Sequence, residues 1–398
     1  MRRIAILLGA AMVCLAVPPG APATEPASQP ATQPAAPYPR IAMFWSLADS
    51  LDPPLEKPDN YARHAVIVED LYDLGFRWTW HRFHAMVETL KPESLPNGRQ
   101  SLAEIRRRNP AAIILLEVFF FEEHAKGYPE DHPWWLRDRQ GKRVRFWPGT
   151  WRCDLTRADY IGHVARRIEA VHQAAGGQAG IFLDNLRFDA SSKASWTALL
   201  QEVRKRCGDE MPILVNAGWD SDDLEWVAPL VNGIQYEDAV NRSGKKDPEA
   251  FYARIAKFDR LCRKPRCGVN EVYGRRDDAT ARTRELLRTL VYTDLAYLYA
   301  DSTQGHKHAW YDLWSVRLGS PAGEPPAPKP ATLARREFEH GTVLWLPGDA
   351  KSPAVVALDG PRVDAVSGKT LREVTLAPGS GAILLAAPTT VPAAGKNP

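Results

Sequence analysis

The chain is short of several features that would have placed it at once. It carries five cysteines in 398 residues, and none falls in a Cys-x-x-Cys pair, so a zinc ribbon or a thioredoxin-like redox site has no support. Its 51 Lys and Arg nearly balance 48 Asp and Glu, a net charge of +3, with no basic stripe and no acidic tail. That argues against nucleic acid or a membrane surface as a partner. The apolar run at the N-terminus, Ile4 to Val17, is too short to span a bilayer. No glycine-rich fingerprint follows the first strand candidate, where Trp45 runs into Ser-Leu-Ala-Asp-Ser, so a dinucleotide cradle is missing. The remaining composition is ordinary for a globular chain, and the length suits one large domain plus a small one.

The short apolar run has a meaning of its own. Met1-Arg2-Arg3 is a basic n-region, Pro18-Pro19-Gly20 ends the run, and Ala21-Pro22-Ala23 supplies small residues at −3 and −1. Residues 1–23 therefore read as a signal peptide cleaved after Ala23, with a retained anchor helix as the alternative. Cys14 sits behind Ala-Met-Val, a poor match to a lipoprotein signal. The expected location is extracytoplasmic, periplasmic or secreted, with no membrane attachment after cleavage. Cys153, Cys207, Cys262 and Cys267 remain in the mature chain. Cys262 and Cys267 either close a small disulfide loop or are buried thiols.

Composition shifts divide the rest. Residues 24–38 are a Pro/Ala-rich linker, and 319–330 form a second Pro-rich linker that no regular helix or central strand tolerates. Between them, over 39–318, short apolar runs alternate with amphipathic segments. The strand candidates are Ile41–Trp45, Phe76–Arg82, Ala112–Phe120, Gly180–Leu183, Ile213–Asn216, Gly233–Tyr236, Gly268–Tyr273 and Leu295–Ala300. Helical patterns are clear over Tyr61–Leu74, Arg157–Ala174, Lys193–Arg206, Pro248–Leu261 and Asp278–Tyr292. Strand–helix alternation implies a parallel sheet, and eight strands close a (β/α)₈ TIM barrel. An open doubly wound sheet is the runner-up. Residues 331–388 read as a small antiparallel β-domain with strands at Glu337–Leu346, Ala354–Leu358 and Ala382–Ala386, and 389–398 as a disordered tail.

In such a barrel the chemistry sits at the carboxyl ends of the strands, and there this chain is rich in acids and amides. Glu117, Asp184-Asn185, Asn216, Glu237-Asp238, Glu271 and Asp301 all fall on or just after strand candidates. Each acid alone could serve structure: Asp184 as a cap, Glu237 paired with Arg242, Glu271 paired with Arg275 or Arg276, Glu117 pointing into the barrel. Jointly, Asp184 and Glu237 place two acids across one mouth. Glycoside hydrolysis needs such a pair, one to attack or stabilise the anomeric carbon and one to protonate the leaving oxygen. They are the candidate catalytic pair.

Tryptophans are the second signal. Trp45, Trp78, Trp80, Trp134, Trp135, Trp147, Trp151, Trp219, Trp310 and Trp314 mostly follow or end strand candidates. Indoles present flat apolar faces that suit sugar rings, although loop packing explains any one of them. The long segment from Glu122 to Trp151, with Trp134-Trp135, reads as a substrate-binding flap. Candidate substrate contacts are Trp45, Trp80, His81, Glu117, Asn185, Asn216, Asp238, Glu271 and Asp301. A metal-dependent hydrolase would need three of His81, His84, Asp301, His306 and His308 to converge, and His306-Lys307-His308 comes after the last strand rather than the first. Neither a metal nor another cofactor is expected.

Gly180-Ile-Phe-Leu-Asp-Asn185, Ile213-Leu-Val-Asn216, Tyr311-Asp-Leu-Trp314, Leu318-Gly-Ser-Pro321, Arg336-Glu-Phe-Glu-His-Gly-Thr-Val343 and Ser380-Gly-Ala-Ile-Leu384 together resemble bacterial glycoside-hydrolase-like barrel families of uncharacterised activity. These are similar in layout to the α-galactosidase and endo-α-1,4-polygalactosaminidase superfamily. The resemblance covers most of the mature chain. It implies a nucleophilic aspartate ending strand four, Asp184, and an acid/base ending strand six, Glu237 or Asp238. The Glu-Asp pair on strand six departs from the family pattern and leaves that choice open. A barrel that binds carbohydrate without cleaving it is the reading from another class.

Overall fold

The computed structural model describes residues 38–49, 54–186, 190–219, 222–301 and 305–386. The proposed signal peptide, most of the first linker and the C-terminal tail lie outside the described residues.

Eight parallel strands form one sheet in the order β1 (Ala42–Phe44), β2 (Val66–Glu69), β3 (Ile113–Glu117), β6 (Gly180–Leu183), β7 (Ile213–Asn216), β8 (Gly233–Glu237), β9 (Val269–Gly274) and β10 (Ala296–Asp301). A parallel bridge between Ile41 and Tyr297 brings the last strand back to the first. The barrel strands are almost entirely buried, as expected when helices cover one face and the barrel core the other. A hairpin of β4 (Glu122–His124) and β5 (Thr150–Arg152) stands apart, in the connection after β3.

The helices are α1 (Lys57–Ala62), α2 (Leu95–Arg108), α3 (Ala158–Ala174), α4 (Ala190–Cys207), α5 (Ala239–Arg242), α6 (Pro248–Leu261) and α7 (Ala279–Tyr292). Side-chain caps set two starts: Asp247 accepts from the Ala250 N–H at 2.9 Å ahead of α6, and Asp278 accepts from the Ala281 N–H at 2.8 Å ahead of α7. Among the described residues, the connections after β7 and β10 hold only one-turn 3₁₀ segments, Ala228–Leu230 and Asp312–Ser315.

Two readings need correction. The second strand is Val66–Glu69, inside the segment read as a Tyr61–Leu74 helix. Phe76–Arg82 is a loop that touches the rest by a Trp78–Leu90 bridge. A four-residue Val-Ile-Val-Glu run has no period of its own, and the flanking Tyr61, Leu71 and Leu74 supplied a false helical one. Cys262 and Cys267 are buried free thiols; burial raises both, Cys267 to about 12.

The C-terminal sheet is antiparallel, in the order β11 (Ala334–Phe338), β12 (Gly341–Leu346), β15 (Ser380–Ala386), β13 (Ala354–Asp364) and β14 (Thr370–Leu376). Alternation along β12 gives it two faces. Leu344 and Leu346 join Leu376, Ala382 and Leu384 in a small second core, while Val343 and Trp345 belong to the main one. The Arg288 guanidinium lies 4.7 Å from the Trp345 ring centre, and the Trp345 indole donates to Glu249 at 3.3 Å. Buried Arg336 reaches the carbonyls of Leu290 and Thr293 at 2.8 and 2.5 Å and pairs with Asp294. The sheet is thus tied to the end of α7 and the turn that follows.

Candidate active site at the barrel mouth

Asn216, the last residue of β7, organises the centre. Its Nδ2 donates to Asp184 Oδ1 at 2.8 Å and to Glu237 Oε2 at 2.8 Å. The Gly218 N–H donates to its Oδ1 at 2.7 Å, which settles the amide's orientation, since the amide nitrogen only donates and the oxygen only accepts. The two carboxylate oxygens are therefore no further apart than twice 2.8 Å. Asp184 and Glu237 both stay partly open to solvent. Burial lifts the Asp184 carboxyl above its ordinary range; the Asn216 and Asn185 donors oppose this, and the charge of Glu237 adds to it.

A second row lies behind Glu237. Glu237 pairs in register with Glu271 on β9, and strand periodicity puts Tyr273 on the same side as Glu271. The Tyr273 hydroxyl donates to Glu237 Oε1 at 2.9 Å. Glu271 is fully buried, takes a hydrogen bond from Gln235 at 2.6 Å and meets His306 Nδ1 at 2.7 Å. Burial works against charge on His306, but Glu271, with Glu237 and Asp184 beyond it, raises its pKa to about 9. The Trp45 ring packs edge-on against His306 with centres 4.8 Å apart.

The third group joins β1, β3 and β6. Trp45 Nε1 donates to Glu117 Oε2 at 2.8 Å, and burial, with the charge of Asp184, pushes the Glu117 carboxyl up to about 8. Asn185 donates to Asp184 at 2.9 Å and to both oxygens of buried Glu122 at 3.2 Å. Trp45, Asn185 and Asp238 have φ of 50°, 63° and 53°. Left-handed backbone is uncommon outside glycine, and here it recurs just past three barrel strands, a location typical of functional sites.

Other candidates stand elsewhere. Asp238 precedes α5 and takes hydrogen bonds from Asn241 and from the Tyr273 N–H, with Arg242 at 3.4 Å. The Arg242 pairing considered for Glu237 is thus made by its neighbour. Asp301 pairs with Arg276 at 3.0 Å. Trp80 and His81 lie on the segment after β2, with Trp80 83% exposed. His84 meets Glu123 at 3.0 Å and His308 meets His64 at 3.0 Å, so the histidines considered as metal ligands face separate partners. Trp134 and Trp135 are not a flap surface: they are buried among Tyr128, Tyr160 and His163.

Glu122, Tyr273 and the contact between His306 and Glu271 were not legible as site features. Tyr273 carried a signal, two residues past Glu271 on one strand. Glu122 and His306 enter from a hairpin and from a loop, where no periodicity points.

No family model matches the sequence, and no match is found among curated proteins. Solved structures match at the level of fold. An alpha-amylase from Lactobacillus plantarum superposes with a TM-score of 0.53 at 9% identity, covering 87% of this chain and 98% of that one. A maltogenic alpha-amylase from Thermotoga neapolitana gives 0.52 at 8%, covering 86% and 98%. The chain thus shares the barrel-plus-sheet fold of amylase-type enzymes.

Proposed function

We propose that the protein is an extracytoplasmic glycoside hydrolase that cleaves O-glycosidic bonds of an oligo- or polysaccharide by a retaining mechanism, without a cofactor. The observation that carries this is the span of Asn216 between Asp184 and Glu237. Retaining enzymes hold their carboxyl groups about 5–5.5 Å apart, whereas inverting enzymes leave roughly 6.5–9.5 Å for a water. Two carboxylates bound to one nitrogen suit the shorter spacing.

The partners divide the roles. Asp184 accepts from the amide nitrogens of Asn216 and Asn185, which only donate, so it is best served as a carboxylate and acts as nucleophile at the anomeric carbon. Glu237 faces the Tyr273 hydroxyl, which can also accept, so a protonated Glu237 keeps a partner. Glu237 gives that proton to the leaving oxygen and later takes one from the water that releases the glycosyl group from Asp184. Asp238, bound into the start of α5, is left out. Among the described residues, Glu237 takes its hydrogen bonds from neutral donors, Asn216 and Tyr273, which favours catalysis over a barrel that only binds sugar. The basic n-region, short apolar run and Ala-Pro-Ala site support export. The amylases sharing this fold are glycan-acting enzymes by name.

Reducing-sugar release over a polysaccharide panel, followed by proton NMR of the first-formed anomer, tests the proposal. The retained anomer is expected. Initial release of the inverted anomer would overturn the nucleophile assignment. Binding without release would favour the non-catalytic barrel.

A further inference from the structure

A cleft of about 360 Å³ is not used by the chemistry above. It lies between the segment after β2 and the end of β3. Glu117 lines it and also lines the gap beside Asp184, so cleft and carboxylate pair share a wall.

Its chemistry differs from that of the mouth. Trp80 and Phe119 are 83% and 40% exposed, and Trp78 lies behind them under the Arg167 guanidinium, 4.8 Å from the ring centre. Arg77, Lys91 and Arg167 line the cleft with His81, His84 and His124. Two of the three acids among the lining residues add little charge: Glu123 is buried against His84 and near Arg167, and burial pushes the Glu117 carboxyl up to about 8. The third, Asp70, lies near Arg77. Buried Arg167 donates to the Phe119 carbonyl at 3.1 Å, yet its Nε–H has no acceptor among the described residues. A buried donor without a partner is costly. Aromatic faces for a sugar ring thus sit beside an excess of cationic donors.

We propose that this cleft is a subsite for a sugar carrying a negative charge, so that the substrate is an acidic polysaccharide running from the cleft past Glu117 to Asp184 and Glu237. This rests on the hydrolase reading. The ring stacks on Trp80, and the anionic group, a uronate carboxylate or a sulfate ester, meets Lys91 and its cationic neighbours.

Titration calorimetry of the whole protein with a galacturonate tetramer, a sulfated galactose tetramer and maltotetraose tests this. One acidic tetramer binds at least roughly tenfold tighter than the neutral one, and added salt narrows that gap. Lys91→Gln weakens acidic binding roughly tenfold and Lys91→Glu weakens it further, while maltotetraose is unaffected. Trp80→Ala weakens all ligands that bind. Preference for one acidic tetramer assigns the substituent. Equal or tighter binding of maltotetraose, or indifference to both Lys91 variants, overturns the subsite. The two proposals fail separately. Acidic binding that depends on Lys91 but gives no product sinks the hydrolase and keeps the subsite. Cleavage of a neutral glycan that ignores Lys91 sinks the subsite and keeps the hydrolase.

Discussion

The indole N–H of Trp45 donates to Glu117 at 2.8 Å, joining the first barrel strand to the third through a residue whose own φ is 50°. The bond turns a strained backbone into a fixed edge of the mouth, and it holds a carboxyl that burial pushes up to about 8. A raised carboxyl pKa means the folded state binds the extra proton, so stability falls as pH rises from the ordinary carboxylate range through about 8. Glu117→Gln keeps an acceptor for Trp45 and removes that dependence. Thermal melts should show little change near pH 4 and a gain on the order of 2 kcal/mol by pH 8. A variant less stable than wild type at pH 8 would contradict the assignment.

Asp184→Asn should lower hydrolysis by roughly a thousandfold or more while leaving the fold intact. The amide oxygen still accepts from Asn216, and removing a charge that burial disfavours should leave the melting temperature equal or higher. Unchanged turnover, or a marked loss of stability, would count against it.

Asn216→Ala removes one donor from each carboxylate. Asp184 then ionises less readily, so the acid limb of the pH–rate profile should move to higher pH, with kcat down about 10²–10³-fold. Circular dichroism separates this from unfolding. A loss of rate without a moved acid limb would assign Asn216 to packing alone.

His306 should stabilise the fold in a pH-dependent way. Its pKa is raised to about 9, so its contribution is fully present below the ordinary histidine value and is lost as pH rises through about 9. Beyond Glu271, the groups to weigh are Glu237, Asp184 and Tyr273, which surround the same ring. His306→Gln should therefore melt well below wild type at pH 6 and approach it by pH 10. A gap that stays constant with pH would remove the ion pair from the account.

The C-terminal sheet should be part of the barrel's stability. Arg336→Met takes the buried donors from two carbonyls and from Asp294, which keeps Tyr38 and Arg266, at a cost of about 1–3 kcal/mol. Deleting the chain from Ala331 onward should lower the melting temperature further, because it strips cover from α7. Full stability in the truncated chain would make the sheet an independent module.

The sequence alone determined the layers. Continuous apolar runs ending in Asp184, Asn216 and Glu237 fit buried parallel strands with polar ends, and the helical patterns over Pro248–Leu261 and Asp278–Tyr292 begin within one residue of α6 and α7. It failed where local pattern is ambiguous: Val66–Glu69 is too short to show a period, and Trp134-Trp135 cannot reveal burial among aromatics 25 and more residues away in sequence, such as Tyr160 and His163. What tertiary structure decided was which polar groups meet. Asn216 reaches residues 32 and 21 positions away, and Glu271 meets a histidine 35 positions on. Those separations carry no periodicity. Hydrogen bonding and charge in a partly buried site are set by distance in space, and barrel closure alone brings these side chains within range.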